Sequence, residues 1–300
     1  MFDVICMGSA TIDLFININP KFKNCNAGEK ILIEDLDHET GGGGTNSAVA
    51  LSRLGLKTAY LGKLGDDHNA ERILKELKQE KVKIIPVKKS NKRTSFSVVM
   101  ESSKEKDRII YTYKGASNDL SLEDFDKRKV KTRWLYVATL LGKSCKTAEK
   151  IILEAKKKKT KILFNPSEYL AKRNDLIKTI LKNTNILVLN KHEAQVMTKT
   201  KKDVKELAKL IKATGPKIVI ITTGSKGVHC FDEKDYYYLP SKKTKVVSTA
   251  GCGDAFTSGF LAGIIKNKNI KESLEIGIEN ATSVIKHIGT KNKLLKWEEV

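Results

Sequence analysis

The sequence predicts an α/β protein of the doubly wound type, a mostly parallel sheet flanked by helices, with a small β-strand lid. Three observations carry this. From about residue 132 onward, short apolar runs alternate with amphipathic helical patterns, as expected of a parallel sheet covered on both faces. Two earlier segments, about 15–37 and 94–113, read instead as paired strands with no helix between them. Finally, "DHETGGGGTNSAVALSRLG" (37–55) runs four consecutive glycines straight into an apolar helix.

Taken in order, "FDVICMGSA" opens the chain as a strand, and "FININ" with "EKILIEDLD" alternates like a sheet with one exposed face. "TSFSVVMESSKEKDRIIYTY" does the same, and together these predict an antiparallel lid projecting from the main sheet. An apolar lid face must cover a ligand, a partner subunit or both. "RWLYVAT" precedes a helix carrying Ala148, Ile151, Ile152 and Ala155 at i, i+3, i+4, i+7. "KILFN", a helix through Leu176 and Ile180, "NILVLN", a helix with Val204, Leu207, Ala208 and Ile211, and "KIVIITTG" continue the rhythm. "VVSTAGCGDAFTSGF" reads as a β-branched strand end, then small residues, then a helix from Asp254. Residues 1–300 form one domain on this reading, with the lid strands inserted in it. Ligands of such a sheet sit outside the carboxyl ends of its strands.

The net charge of +21 invites a nucleic-acid reading. Its texture argues for a solvated surface instead: lysines line the polar faces of most elements and do not interleave with aromatics. "AKKKKTK" (155–161) falls where a helix should end, and cations there complement the helix dipole. Five cysteines, no two within four residues of each other, argue against a disulfide framework and a zinc knuckle. No run approaches a membrane span, and a cytoplasmic protein is expected.

Several familiar motifs fail. After Gly42-x-Gly44 the third glycine of a dinucleotide fingerprint is Ser47; "GKS" at 142–144 has Val137 where a phosphate loop needs glycine; "HEAQV" ends in Val196 where a zinc helix needs histidine. The strongest chemical stretch is Ala250-Gly251-Cys252-Gly253-Asp254. Small residues leave backbone N–H groups open at a helix N-terminus, where free donors and the dipole attract an anion. Asp254 reads either as a helix cap or as a general base working beside a phosphoryl group.

"STAGCGDAFTSGF" resembles the C-terminal signature of ribokinase-like (PfkB-type) carbohydrate and nucleoside kinases, whose D-T-x-G-A-G-D run supplies an anion hole and a catalytic aspartate. "GGGGTNSAVALSRLG" followed by "YLGKLGDDHNAE" is similar to the N-terminal signature, and "GSATIDL", "YKGASNDLS", "FNPSEYL", "LNKHEA" and "TTGSKG" look like further landmarks in the family's order. The resemblance spans nearly the whole chain.

It implies an ATP- and Mg²⁺-dependent kinase phosphorylating a hydroxymethyl group of a sugar or nucleoside. By resemblance Asp254 is the base and residues 250–253 the anion hole. Asp13 and Asn46 hold substrate hydroxyls, and Gly41-Gly42 hinge the lid, a role that glycine's wide φ/ψ range suits. Asn190 and Glu193 match the N-x-x-E motif that organises Mg²⁺ through water, while Thr223, Gly224, Gly227 and Asn280 border the nucleotide. Ser248 replaces the aspartate that helps form a monovalent-cation site in many members, so a potassium requirement does not carry over. The alternatives are a sugar-phosphate kinase, for which Arg93 and Arg108 are the available cations, and a basic nucleic-acid-binding protein on an inactive kinase fold. The lid's apolar face could also pair two subunits.

Overall fold

The computed structural model describes residues 1–300 apart from Lys106 and Glu233. Its elements run β1 (Phe2–Met7), β2 (Thr11–Ile18), β3 (Ile33–Gly41), α1 (Gly43–Arg53), β4 (Thr58–Leu61), α2 (His68–Gln79), β5 (Lys83–Ile84), β6 (Ser95–Ser102) and β7 (Asp107–Tyr113). The second half continues with β8 (Thr132–Ala138), α3 (Gly142–Lys157), β9 (Lys161–Asn165), α4 (Glu168–Ala171), α5 (Asn174–Asn183), β10 (Ile186–Asn190), α6 (Lys191–Thr198) and α7 (Val204–Lys212). β11 (Ile218–Thr222), β12 (Val228–Phe231), β13 (Tyr236–Leu239), α8 (Cys252–Ile265) and α9 (Ile270–Val284) complete it.

The main sheet has the order β13-β12-β11-β10-β9-β8-β1-β4-β5. It is parallel from β5 to β11, with β12 and β13 added antiparallel. Strand β1 shows why the sheet is central. Val4 and Cys6 enter the core on one face, Ile5 and Met7 the core on the other, and all four are fully buried. The chain winds from β1 to β4 on one side and later to β8 on the other, so the carboxyl ends of β1 and β8 frame the crevice where such sheets bind ligands.

The helices follow their apolar periods. Ala148, Ile151, Ile152 and Ala155 of α3 are buried, and Lys156 and Lys157 occupy its last turn. Leu207, Ala208 and Ile211 do the same for α7. In α5 the buried face is Ile177, Ile180 and Leu181, while Leu176 is exposed. No helix among the described residues is long and apolar enough to cross a membrane.

The lid is a four-stranded sheet of order β3-β2-β6-β7, with Lys106 between its last two strands outside the described residues. Three expectations need correction. The strands reach further than 15–37, to Thr11 and Gly41, which places Asp13 within a lid strand opposite Glu39 and Ser97. The β2–β6 pair is also parallel, so the lid is mixed, not wholly antiparallel. The expected strand at 246–249 is absent too. Val246 and Val247 are exposed and without a ladder partner; the N–H groups of Val247 and Ser248 turn to a single carbonyl, that of Ile285.

Candidate active site

A cleft of about 440 Å³ lies at the carboxyl ends of β1, β8, β9, β10 and β11, roofed by the lid. Asp254 lines it. Helix α8 begins at Cys252, two residues earlier than the sequence suggests, with Gly251 as N-cap at φ 77. Asp254 is therefore in the first turn and is not the cap, and its carboxylate makes no capping bond. Asn46 Nδ2 donates to Asp254 Oδ2 at 2.9 Å.

The backbone around it is open to an anion. Among the described residues, the N–H groups of Gly251, Gly253 and Asp254 have no acceptor, and they point from a helix N-terminus. Ala250 N–H already donates to Ser248 Oγ at 3.3 Å, and Cys252 N–H to the Thr249 carbonyl at 3.4 Å. Cys252 does not line the cleft; its thiol turns toward the Ser248 carbonyl. Of the expected 250–253 anion hole, the glycines supply the free donors.

Burial pushes the Asp254 carboxyl up to about 6, opposed by the Asn46 hydrogen bond and the Lys291 ammonium and assisted by the charge of Asp13. A carboxylate with such a value is a proton acceptor matched to neutral pH. Its other neighbours are Cys6 on β1, Tyr136 on β8, Glu193 on α6 and Cys252 on its own helix.

Asp13 reaches into the cleft from β2. Thr11 Oγ1 donates to its Oδ1 at 3.0 Å, and burial raises its carboxyl despite that bond and the nearby Lys114 and Lys291. Gly41 lets it sit there, because a β-carbon on Gly41 would stand 1.9 Å from Asp13 Oδ2. Gly42 has φ 99 and packs on the Ser9 carbonyl, where a side chain would meet backbone at 2.5 Å. Asn46 is a full turn inside α1, not at its cap, and its amide is spent on Asp254 and on Thr290, whose Oγ1 donates to Asn46 Oδ1 at 2.9 Å. It lies behind the cleft wall.

Asn190 and Glu193 form a capping box at the start of α6. Asn190 Oδ1 accepts from Glu193 N–H and Glu193 Oε2 from Asn190 N–H, both at 2.8 Å. Both residues line the cleft. Burial lifts the Glu193 carboxyl to about 7. Its Oε1 makes no protein hydrogen bond among the described residues, which leaves one oxygen for a hydrated divalent cation. No group of three or more acidic, His or Cys side chains that could hold a metal occurs among the described residues. Mg²⁺ keeps several waters and needs few protein ligands, so it does not require such a group.

The remaining nucleotide expectations are not brought to the wall. Thr222 lines the cleft, and Thr223, Gly224 and Gly227 belong to the turn that follows it, exposed at Gly224, with Thr223 Oγ1 donating to the Gly227 carbonyl at 2.8 Å. Asn280 is fully buried: it donates to the Ala255 carbonyl at 2.9 Å and accepts from Leu295 N–H at 3.0 Å. Its amide fastens α8 to the C-terminal segment and has no face left for a base.

Sequence reasoning missed Lys114, Thr290 and Lys291. Nothing local marks a Thr-Lys pair in a lysine-rich tail. Of the two arginines, Arg108 on β7 lines the cleft and donates from Nη2 to Thr249 Oγ1 at 3.2 Å, whereas Arg93 does not line it.

Residues 1–297 match the profile described as pfkB family carbohydrate kinase. The chain is 37% identical over 145 residues to a cytidine kinase of Thermococcus kodakarensis, covering 47% of this chain and 51% of that one. It is 26% identical over 310 residues to a bifunctional ribokinase/ribose-5-phosphate isomerase A of Fructilactobacillus sanfranciscensis, covering 100% of this chain and 56% of the relative. The chain thus spans about half the length of these curated relatives. In fold it is similar to Arabidopsis thaliana ribokinase complexed with ribose and ATP, with a TM-score of 0.85, 20% identity, and coverage of 99% of this chain and 96% of that one.

Proposed function

Because this chain belongs to the pfkB family of carbohydrate kinases, matched along almost its entire length, we propose that it transfers the γ-phosphoryl group of ATP to a hydroxymethyl group of a sugar or nucleoside. The observation that carries this is the pairing, at one cleft, of the Asp254 carboxylate, held by Asn46 at 2.9 Å, with the open N–H groups of Gly251, Gly253 and Asp254 itself. A base and an anion site at one helix N-terminus suit phosphoryl transfer, in which the protein mainly positions reactants and neutralises charge.

The acceptor hydroxyl gives its proton to Asp254 as its oxygen bonds to the γ-phosphorus. The bond from that phosphorus to the bridging oxygen breaks, and ADP leaves with the electron pair. The free amides stabilise the charge on the transferring group. Glu193, through water, would hold Mg²⁺, which neutralises phosphate charge when bound. Asp13 holds acceptor hydroxyls, and a site built around such bonds rejects analogues lacking them. Lid closure about Gly41-Gly42 excludes water, which otherwise competes as acceptor.

A nucleoside is the favoured acceptor. Phe15, Val99 and Ile110 from three lid strands turn apolar side chains into the cleft beside Asp13, a surface suited to a base and larger than a free pentose needs. The cytidine kinase relative supports the same choice. A sugar phosphate is the second reading, favoured by the Arg108 guanidinium at the cleft. Exposed Leu32, Ile33, Leu36 and Tyr111 on the lid support pairing with a second subunit, which sedimentation would test.

The deciding experiment incubates the protein with Mg-ATP and ribose, fructose, fructose 6-phosphate, ribose 1-phosphate, adenosine, inosine or cytidine, measuring ADP and phosphorylated product. Turnover of a nucleoside above the sugars is expected. Silence with every acceptor would defeat the kinase reading.

A further inference from the structure

We propose that Thr290 is a positioning residue for the base: its hydroxyl locks the Asn46 amide that aims Asp254, and together with Lys291 it ties that aim to the lid hinge. This rests on the reading of Asp254 as the base.

The chain of bonds has one consistent orientation. A carboxylate only accepts, so Asn46 must present its NH₂ to Asp254 Oδ2, at 2.9 Å. Asn46 Oδ1 then faces Thr290, whose hydroxyl must donate, also at 2.9 Å. Thr290 is 8% exposed and Asn46 4%; Thr290 reaches the cleft wall beside Asp254, while Asn46 does not line it. With Oδ2 engaged, Oδ1 is the oxygen left for an incoming hydroxyl; it lies on the Gly43 side, where a β-carbon on Gly43 would be 3.6 Å away.

The same segment reaches the anion site and the hinge. A β-carbon on Gly251, the N-cap of α8, would stand 2.5 Å from the Thr290 carbonyl oxygen, so the Thr290 backbone lies directly against the turn that bears the free amides. Lys291, 6% exposed, donates from Nζ to Thr40 Oγ1 at 2.5 Å and to Glu76 Oε2 at 2.8 Å. Thr290 Oγ1 also lies 3.4 Å from the Thr40 carbonyl. Thr40 is the residue immediately before Gly41-Gly42. A displacement of the hinge therefore pulls on the segment that holds Asn46, and seating of the lid and aim of the base become one event. Such partners act through the reacting group, which they fix in a productive geometry.

The charged and titratable groups facing Asp254 are Asp13 from the lid, Lys291 from the C-terminal segment, Glu193 from α6, Cys6 and Tyr136 from the sheet, and Cys252 on its own helix. Thr290→Val leaves all of these in place and removes one donor.

The test measures kcat, the KM for ATP and the pH profile of kcat for wild type, Thr290→Val, Thr290→Ser and Asp254→Asn with the best acceptor from the panel. In Thr290→Val, kcat should fall about tenfold, with the KM for ATP within about twofold. The acidic limb should move to higher pH, because the loosened Asn46 amide no longer favours the charged carboxylate. Thr290→Ser should restore both. Normal kcat with an unmoved limb in Thr290→Val overturns the proposal, as does a serine variant that behaves like the valine one. If Asp254→Asn is inactive while Thr290→Val is normal, only the positioning role fails. If Asp254→Asn turns over normally, the base reading fails and the proposal with it.

Discussion

Gly41 and Asp13 occupy one space: the position of a β-carbon on Gly41 lies 1.9 Å from Asp13 Oδ2 and 2.8 Å from its Cγ. Adjacent lid strands thus leave room for the carboxylate only because residue 41 has no side chain. In Gly41→Ala the Asp13 carboxylate must move out of place. The KM for the acceptor should rise about 10- to 100-fold, with ATP affinity little changed. Steady-state kinetics with each substrate varied in turn checks this; an unchanged acceptor KM would remove Asp13 from acceptor binding.

The pH dependence of turnover follows from two raised carboxyls. A base must be deprotonated to work, so activity should fall as pH drops through about 6, the value for Asp254. Glu193, raised to about 7, steepens the same limb in the free enzyme, and Mg²⁺ should shift its part to lower pH by favouring the charged form. Profiles of kcat/KM at low and high Mg²⁺ measure both. A profile flat from pH 5 to about 8 would contradict the two assignments.

Stability should respond in the opposite sense. The folded value of Asp254 lies above its ordinary 3.8, so folding takes up a proton. Its stabilising contribution is present below the ordinary value and is lost as pH rises through about 6. Asp254→Asn keeps an acceptor for Asn46 and removes the buried charge. Relative to wild type, its melting temperature should therefore climb between about pH 4 and 7. Parallel melts across that range read the difference directly, and a constant offset would show that burial does not perturb Asp254.

Gly251→Ala meets backbone, not a yielding side chain. Its β-carbon would lie 2.5 Å from the Thr290 carbonyl oxygen, at a φ of 77. The left-handed conformation alone costs an L-residue about 1–2 kcal/mol. Reduced stability together with a loss of kcat of at least about tenfold is expected, since the turn carrying the anion donors must shift. Wild-type kcat in the folded variant would show that this turn does not contact the transferring group.

Much of the fold was legible because its signals are local. β8, β9, β10 and β11 are continuous apolar runs, and α3 and α7 keep their periods, so strands and helices fall where pattern puts them. The parallel pairing of β2 with β6 was not legible, because register between strands some eighty residues apart leaves no trace in either. Val246 and Val247 mislead for a related reason: a β-branched pair forms a strand only if a ladder partner is present. At the site, Asp254 and its glycines announce themselves through small residues before a helix. Thr290 and Lys291 do not, since their contacts arise only when the C-terminal segment is laid against Asn46 and Thr40. Asn280 illustrates the converse, a polar residue in a suggestive position whose hydrogen bonds all go to the protein itself.

The most direct test of the central assignment is product formation by wild type and Asp254→Asn under saturating Mg-ATP and acceptor, with nucleotide binding measured in parallel. Phosphorylated product should fall by about a hundredfold or more in the variant while ATP still binds nearly as well. Near-normal turnover in Asp254→Asn would contradict the role given to Asp254 and, with it, the chemistry assigned to the cleft.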